Sequence, residues 1–376
     1  MENRTCPVCG GIHSDFIKRI DMKVPKAYHL PQHYSIVSCQ SCGMVYADTA
    51  ASMEDYDYYY THCNFYGDDS KDDNSFRYEM MEEILGCFCQ KDTAMLEIGA
   101  GNGRFEIALK EHGYTNITGT DPSSESVERL RAAGIRAHIS NIYSPVSQME
   151  KGKYGCVFLF EVAEHLLVPG KAIGNVKEML KEDGIFMVSV PDYSLIAKET
   201  KYGIPAYFNL EHINYFSETS LDSLMDAYGM ERVYQKRVGG DLIHCYRNSG
   251  GNKGVGKDTA TQKAVRDFLA ACQEKNQRTA QIISGLKEAG REVAVWGTGA
   301  YSMNLAAETD LLGCRIQGFI DNNKLKQGRE MYGYPVYPPE FLEGKEYMVL
   351  ICSMLDGPEI QEQLESMGTK NDSIIL

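Results

Sequence analysis

A chain of 376 residues, 43% hydrophobic and 24% charged, has room for two or three domains, each with a substantial core. Its formal net charge of −14 argues against a nucleic-acid backbone or an anionic membrane surface as partner, and leaves a small anionic ligand possible in a local pocket of donors. No apolar run approaches the roughly 20 residues of a membrane span, and Met1-Glu2-Asn3-Arg4-Thr5-Cys6 lacks the apolar core of a signal peptide, so the expectation is a cytoplasmic protein with no membrane partner.

Of the twelve cysteines, four fall into two matching pairs, Cys6-Pro7-Val8-Cys9 and Cys39-Gln40-Ser41-Cys42, each followed by glycine. The 29 residues between the pairs suffice for a short hairpin or two that brings four sulfurs to one centre. Four thiolates favour zinc and close its coordination shell, so Cys6, Cys9, Cys39 and Cys42 are expected to hold a structural Zn2+. The remaining eight read as reduced core thiols. His13, His29 and His33 lie between the pairs and could replace a ligand, though surface histidines are the simpler reading. Next, Tyr56-Asp57-Tyr58-Tyr59-Tyr60-Thr61-His62-Cys63-Asn64-Phe65-Tyr66 offers flat apolar faces with polar tips, suited to a ring-shaped polar ligand or to packing between modules.

From about Phe76 the pattern turns α/β. A helix is expected over 76–88, then strands over 94–98, 117–120, 135–139, 156–160 and 184–190, a doubly wound parallel sheet with ligands at its C-terminal edge. The first strand runs into Glu97-Ile98-Gly99-Ala100-Gly101-Asn102-Gly103, where glycines at alternate positions let the backbone approach a ligand, and a helix follows. Asp121 stands 18 residues beyond Gly103, at the tip of the next strand, where a carboxylate can hold ribose hydroxyls. This E-x-G-x-G-x-G run resembles the first motif of class I S-adenosylmethionine (SAM) methyltransferases. The resemblance implies SAM held by Glu97, Gly99, Gly101, Gly103 and Asp121, with Asn141 and Ile142 at the adenine and Glu161 at the same edge. Glu161-Val162-Ala163-Glu164-His165-Leu166 resembles the fourth motif of that class, which sets His165 near the transferred methyl.

Beyond the fifth strand, Asn209-Leu210-Glu211-His212 puts an acid beside a histidine in a loop, and an imidazole has the pKa for taking a proton near neutrality. Gly239-Gly240-Asp241 reads as the turn before a last strand over 242–246. Ser249 to Gly256 has the composition of a linker, followed by an amphipathic helix from Thr259 to Ala289. Glu292 to Ala300 repeats the strand-to-glycine-turn design, and Arg315 to Asp321 supplies a second strand ending in an acid. The third fingerprint glycine of a dinucleotide site is replaced by Ser302, which favours a degenerate Rossmann-like scaffold or substrate clamp over an NAD site.

The order of the parts, a four-cysteine zinc module over 1–67 with the tyrosine segment, a class I SAM domain over 68–248 and a smaller Rossmann-like domain over 249–376, resembles the sugar C-methyltransferase family. Its members methylate C3 of nucleotide-linked 4-keto-6-deoxy sugars. Val295-Trp296-Gly297-Thr298-Gly299, Ile320-Asp321-Asn322-Asn323, Lys326-Gln327-Gly328-Arg329 and Gly333-Tyr334-Pro335-Val336 are similar to its characteristic segments. The resemblance implies that His212 removes the proton alpha to the ketone, that Glu211 orients His212, and that Tyr59 or Tyr60 stands near the sugar. The chain departs from the family at Asn209, where the family has tyrosine, and at Val238, where it has histidine. Asn209 keeps the ability to donate to an oxyanion. Two alternatives stand beside C-methylation: O- or N-methylation of a related carbohydrate or other nucleotide-linked molecule, and a non-catalytic zinc-bearing binding protein.

Overall fold

The computed structural model describes residues 4–63, 75–143, 151–199, 203–251, 254–353 and 356–376. Asn64, Phe65 and Tyr66 of the tyrosine segment and Asn252 and Lys253 of the linker lie outside the described residues. The chain divides into two units, Met1–Ile17 with Ile36–Leu195 and Ile213–Val265, and Lys18–Ser35 with Ile196–His212 and Arg266–Leu376.

At the N-terminus β1 (Ser14–Asp21), β2 (His33–Cys39) and β3 (Val45–Asp48) form a small sheet, followed by α1 (Met53–His62) and α2 (Ser75–Gly86). Ser52 caps α1, accepting the Asp55 N–H while the Asp55 carboxylate accepts the Ser52 N–H, a reciprocal box that starts the helix at this point.

The alternating pattern then gives β4 (Met95–Ile98), α3 (Arg104–Glu111), β5 (Ile117–Asp121), α4 (Ser124–Ala132), β6 (Arg136–Ile139), β7 (Tyr154–Phe160), α5 (Pro169–Met179) and β8 (Leu180–Pro191). After α6 (Ile204–Tyr207) come β9 (Asn214–Tyr215), α7 (Glu218–Ala227), β10 (Met230–Val238) and β11 (Asp241–Asn248). The seven-stranded sheet has the order β10-β11-β8-β7-β4-β5-β6, with β8 through β6 parallel and β11 and β10 antiparallel. β9 pairs with β3 and completes the small sheet.

Side chains alternate across the large sheet. Leu96, Ile98, Val157, Leu159, Phe186 and Val188 pack on one face, and Met95, Cys156, Phe158, Ile185 and Met187 on the other. Both faces are therefore apolar, which is why the central strands read as continuous apolar runs. The strand order reverses between β4 and β7, so the crevice at the switch point opens above Glu97 and Glu161. β10 is absent from the sequence expectation. Its Glu231, Val233, Gln235 and Arg237 alternate with less exposed neighbours on a sheet edge, and Gly239-Gly240 is the tip of the β10–β11 hairpin.

In the second unit α8 (Thr261–Glu288) leads to β12 (Glu292–Trp296), α9 (Ala300–Glu308), β13 (Arg315–Ile320), β14 (Glu330–Met331), β15 (Tyr334–Tyr337), β16 (Met348–Ile351), α10 (Gly357–Ser366) and β17 (Asp372–Ile375). The sheet order is β14-β15-β13-β12-β16-β17, parallel except for β14. Its core gathers Ala294, Trp296, Ile320, Val349, Ile351 and Ile360. Among the described residues no helix is long and apolar enough to cross a membrane.

Candidate functional site

The turn after β4 is built for close approach. Gly99 has φ +79°, and a Cβ there would stand 2.5 Å from Val162 Cγ2; Gly103, φ +73°, would meet Leu130 Cδ2 at 2.7 Å. The Gly99 and Ala100 N–H groups both donate to the Thr120 carbonyl, at 2.8 and 3.0 Å, which ties the turn to β5. Asp121 closes it from the other side: Oδ2 accepts the Gly101 N–H at 2.9 Å and Oδ1 the Ser123 N–H at 2.8 Å. Burial pushes the Asp121 carboxyl up to about 6, against those hydrogen bonds. Glu97 is buried with Oε2 unpartnered among the described residues, and desolvation, then the neighbouring Glu106, raises its carboxyl far above the usual range.

Further along the edge, Asn141 Nδ2 donates to Asp57 Oδ1 of α1 at 2.8 Å, and its Oδ1 accepts the Tyr143 N–H at 3.0 Å. Ile142 is buried, its carbonyl accepting from Asn175 Nδ2 at 2.7 Å. Past β7, Glu161 adopts φ +52°, a left-handed conformation that costs a non-glycine residue about 1 kcal/mol or more. Its Oε1 accepts from Arg77 Nη2 and from Ser189 Oγ, each at 2.7 Å. The same Nη2 reaches Asp241 Oδ2 at 3.0 Å and Ser189 Oγ at 3.1 Å.

The loop carrying Glu164 and His165 is pinned by backbone bonds. Asn214 Nδ2 donates to the carbonyls of Ala163 and Leu166 at 3.0 and 2.8 Å, and Arg4 Nη2 to those of Leu166 and Leu167 at 3.1 and 2.8 Å. Within it, His165 Nδ1 lies 3.1 Å from the Tyr60 hydroxyl, and His165 Nε2 lies 3.7 Å from Glu164 Oε1. Glu164 is fully buried, and neither of its oxygens has a hydrogen-bond partner among the described residues. Tyr59 turns into the core and meets Tyr60 edge-on, with ring centroids 5.4 Å apart. Asn209 Oδ1 accepts the N–H groups of both Glu211 and His212 at 2.9 Å, an Asx turn that fixes the backbone of the acid–histidine pair.

The four knuckle sulfurs converge: Cys6 Sγ is 3.6 Å from Cys42 Sγ, Cys9 Sγ is 3.5 Å from Cys39 Sγ, and all four lie within 4.8 Å of one another. Each knuckle is a tight turn, with Gly10 N–H donating to the Cys6 carbonyl and Gly43 N–H to that of Cys39, both at 2.9 Å. The Cys42 hydrogen bond holds the Cys6 thiol down to about 5, against burial, while burial pushes Cys9 up to about 11. In the second unit, Asp321 Oδ2 accepts from the Thr298 N–H at 3.2 Å and from the Thr298 hydroxyl, so the acid at the tip of β13 is turned onto its own glycine turn.

The sequence reading singled out the glycine turn, Asp121, His165 and the knuckles, and the structure brings Tyr60 to His165. It misses Arg77, Ser189 and the side chains of Glu164 and Asp241. A lone arginine on a polar helix and an acid in a hairpin turn carry no pattern that separates them from solvated surface.

Residues 74–235 match the methyltransferase domain family, and residues 290–375 match the family described as C2185-like, N-terminal. The chain is 21% identical over 280 residues to the C-methyltransferase NovU of Streptomyces niveus, covering 69% of this chain and 66% of that protein, just under two thirds of its length. It is also similar to the solved PH0226 protein of Pyrococcus horikoshii OT3, with TM-score 0.42, 18% identity, and 49% and 95% of the two chains covered. A third likeness is to the 1,6-didemethyltoxoflavin-N1-methyltransferase of Burkholderia thailandensis, solved with S-adenosylhomocysteine, with TM-score 0.39, 16% identity, and 56% and 96% covered. Residues 74–235 are a SAM-dependent methyltransferase domain with the class I α/β fold.

Proposed function

We propose that the protein transfers a methyl group from SAM to a carbon of a nucleotide-linked keto-deoxy sugar. The observation that carries this reading is the likeness to a C-methyltransferase over 69% of the chain, extending well beyond the methyltransferase domain. In this reading SAM lies along the glycine turn. Glu97, Gly99, Gly101 and Gly103 hold its methionyl end, Asp121 the ribose, and Asn141 and Ile142 the adenine, with Glu161 at the switch point. The observed turn suits that group: positive φ at Gly99 and Gly103, no room for a Cβ, and a buried Glu97 oxygen lacking a partner among the described residues. SAM supplies an electrophilic methyl group there.

The chain's own residues do the rest. His212 takes the proton on the carbon alpha to the acceptor's ketone, and Glu211 orients it. Asn209 spends its Oδ1 on the Glu211 and His212 N–H groups, which leaves the amide nitrogen as the group that can donate to the enolate oxygen. Of the two candidate tyrosines Tyr60 is favoured, because it is half-buried with its hydroxyl 3.1 Å from His165 Nδ1, whereas Tyr59 is buried. Cys6, Cys9, Cys39 and Cys42 would hold a structural zinc: Zn–S bonds of about 2.3 Å imply tetrahedral S–S edges near 3.8 Å, and two such edges here are 3.5 and 3.6 Å. The C-terminal α/β unit serves as a degenerate Rossmann-like scaffold or substrate clamp in preference to a dinucleotide site.

The test uses SAM labelled with carbon-13 in its methyl group and a panel of nucleotide-linked 4-keto sugars. Carbon NMR of the product is expected to show a methyl bonded to carbon, and His212→Ala to abolish transfer while SAM binding survives. A methyl on oxygen or nitrogen would reassign the reaction to the alternative class, and a fully active His212→Ala would remove the base.

A further inference from the structure

The adenosine side of the crevice, in the reading above, lies over β4, β5 and β6. The acceptor then lies across the switch point, over β7, β8 and β11. That side carries a built cluster. Arg77 of α2 reaches down to the ends of three strands, bonding Glu161 after β7, Ser189 on β8 and Asp241 at the start of β11, all through Nη2. Its Nε and Nη1 groups make no hydrogen bond to a described residue, and the side chain is 26% exposed. Beneath the cluster sits Glu164, fully buried, with neither oxygen bonded among the described residues. Burial, then the charges of Glu161 and Asp241, raises its carboxyl far above the usual range.

Among the described residues, such a cluster leaves donors of Arg77 and both oxygens of Glu164 unspent within one small area. An anion arriving there meets two carboxylates. An ammonium group finds acceptors but is repelled by the guanidinium and cannot use its N–H groups. A hydroxyl both gives and accepts hydrogen bonds, and two adjacent hydroxyls on a ring match a planar guanidinium beside a carboxylate. We infer that Arg77, Glu161, Asp241 and Glu164 form an acceptor subsite that recognises neighbouring hydroxyl groups of an uncharged polyhydroxylated ring. The inference deepens the sugar reading of the proposed function and rests on it. Nothing covalent happens here: the residues position the ring, and Arg77 is a specificity-determining residue.

The test is calorimetry on the full chain saturated with S-adenosylhomocysteine. The probes are dTDP- and UDP-linked 4-keto-6-deoxyglucose, each compared with bare dTDP or UDP. The native protein is expected to bind at least one sugar-bearing probe more tightly than its bare diphosphate. Arg77→Gln and Asp241→Asn should each shrink that ratio by about 10-fold, with S-adenosylhomocysteine affinity unchanged. Arg77→Lys keeps the charge without the fork and should fall between. If Arg77→Gln does not fold, Asp241→Asn decides. A ratio that survives in the folded variants, or a loss of S-adenosylhomocysteine binding in place of the ratio, overturns the subsite alone. A native protein indifferent to the sugar on every probe overturns the nucleotide-sugar reading and the subsite with it.

Discussion

At Glu106, on α3, a carboxyl group lies fully buried beneath the glycine turn with both oxygens unpartnered among the described residues; a Cβ added at Gly119 would stand 2.9 Å from its Oε1. Desolvation pushes it from the ordinary 4.5 to about 7. The sign follows from proton counting. Between these two values the folded chain holds a proton that the unfolded chain has released, so stability falls as pH rises and the loss is complete above about 7. One pKa unit is about 1.4 kcal/mol, so the buried carboxyl withdraws stability on the order of a few kcal/mol between pH 4.5 and pH 8. Asp121, pushed up to about 6, adds the same sign. Glu106→Gln keeps the volume and removes the ionisation, and is expected to raise stability at pH 8 far more than at pH 5, read as the urea midpoint at each pH. Equal gains at both values would mean that the carboxyl does not titrate in this range. Glu97 and Asp121 were legible in the sequence because strand, glycine turn and acid recur at a set spacing. Glu106 was not, because one acid on an amphipathic helix reads as its solvated face.

Among the elements, the knuckles show how local geometry carries a larger contact. Gly43, φ +79°, follows Cys42, and a Cβ there would lie 1.8 Å from the Asp258 carbonyl oxygen. Asp258 in turn donates its N–H to the Cys42 carbonyl at 2.7 Å and accepts the Ser217 hydroxyl at 2.5 Å, binding the knuckle to the cap of α7. Met44 and Tyr46 continue from the knuckle into the same core as Phe216, Leu221 and Val188. Gly43→Ala should therefore cost more than about 2 kcal/mol, from the strained conformation together with the displaced linker. Loss of the metal should loosen the same core. The purified protein is expected to contain one zinc per chain by elemental analysis, and Cys42→Ser to lose it with a fall in Tm. A metal-free native protein of unchanged Tm would leave the four thiols as packing alone. The cysteine spacing announced this element and the apolar runs announced β4, β5, β7 and β8, whose apolar stretches are buried on both faces. β10 escaped because an edge strand with one wet face shares its charged, alternating composition with loops.

For the whole molecule, what could be read in advance was the order of parts, and what could not was which side chains converge. Parallel strands, glycine turns and acids are local patterns, whereas Arg77 meets Glu161, Ser189 and Asp241 only because α2, β7, β8 and β11 are neighbours at one edge of the sheet. Net charge is the one global property available from the start, and at −14 it makes a prediction of opposite sign for the two ligands. SAM is net cationic, and the acceptor proposed here is dianionic. Raising sodium chloride from about 20 to about 200 mM shortens the Debye length from roughly 20 to 7 Å and screens the acidic surface at encounter distances. Over that interval kcat/KM for the acceptor should rise a few-fold and kcat/KM for SAM should fall. Steady-state rates with each ligand varied in turn check both slopes. Were kcat/KM for the acceptor to fall with salt, a local patch of donors, and not the acidic surface as a whole, would govern how the acceptor arrives.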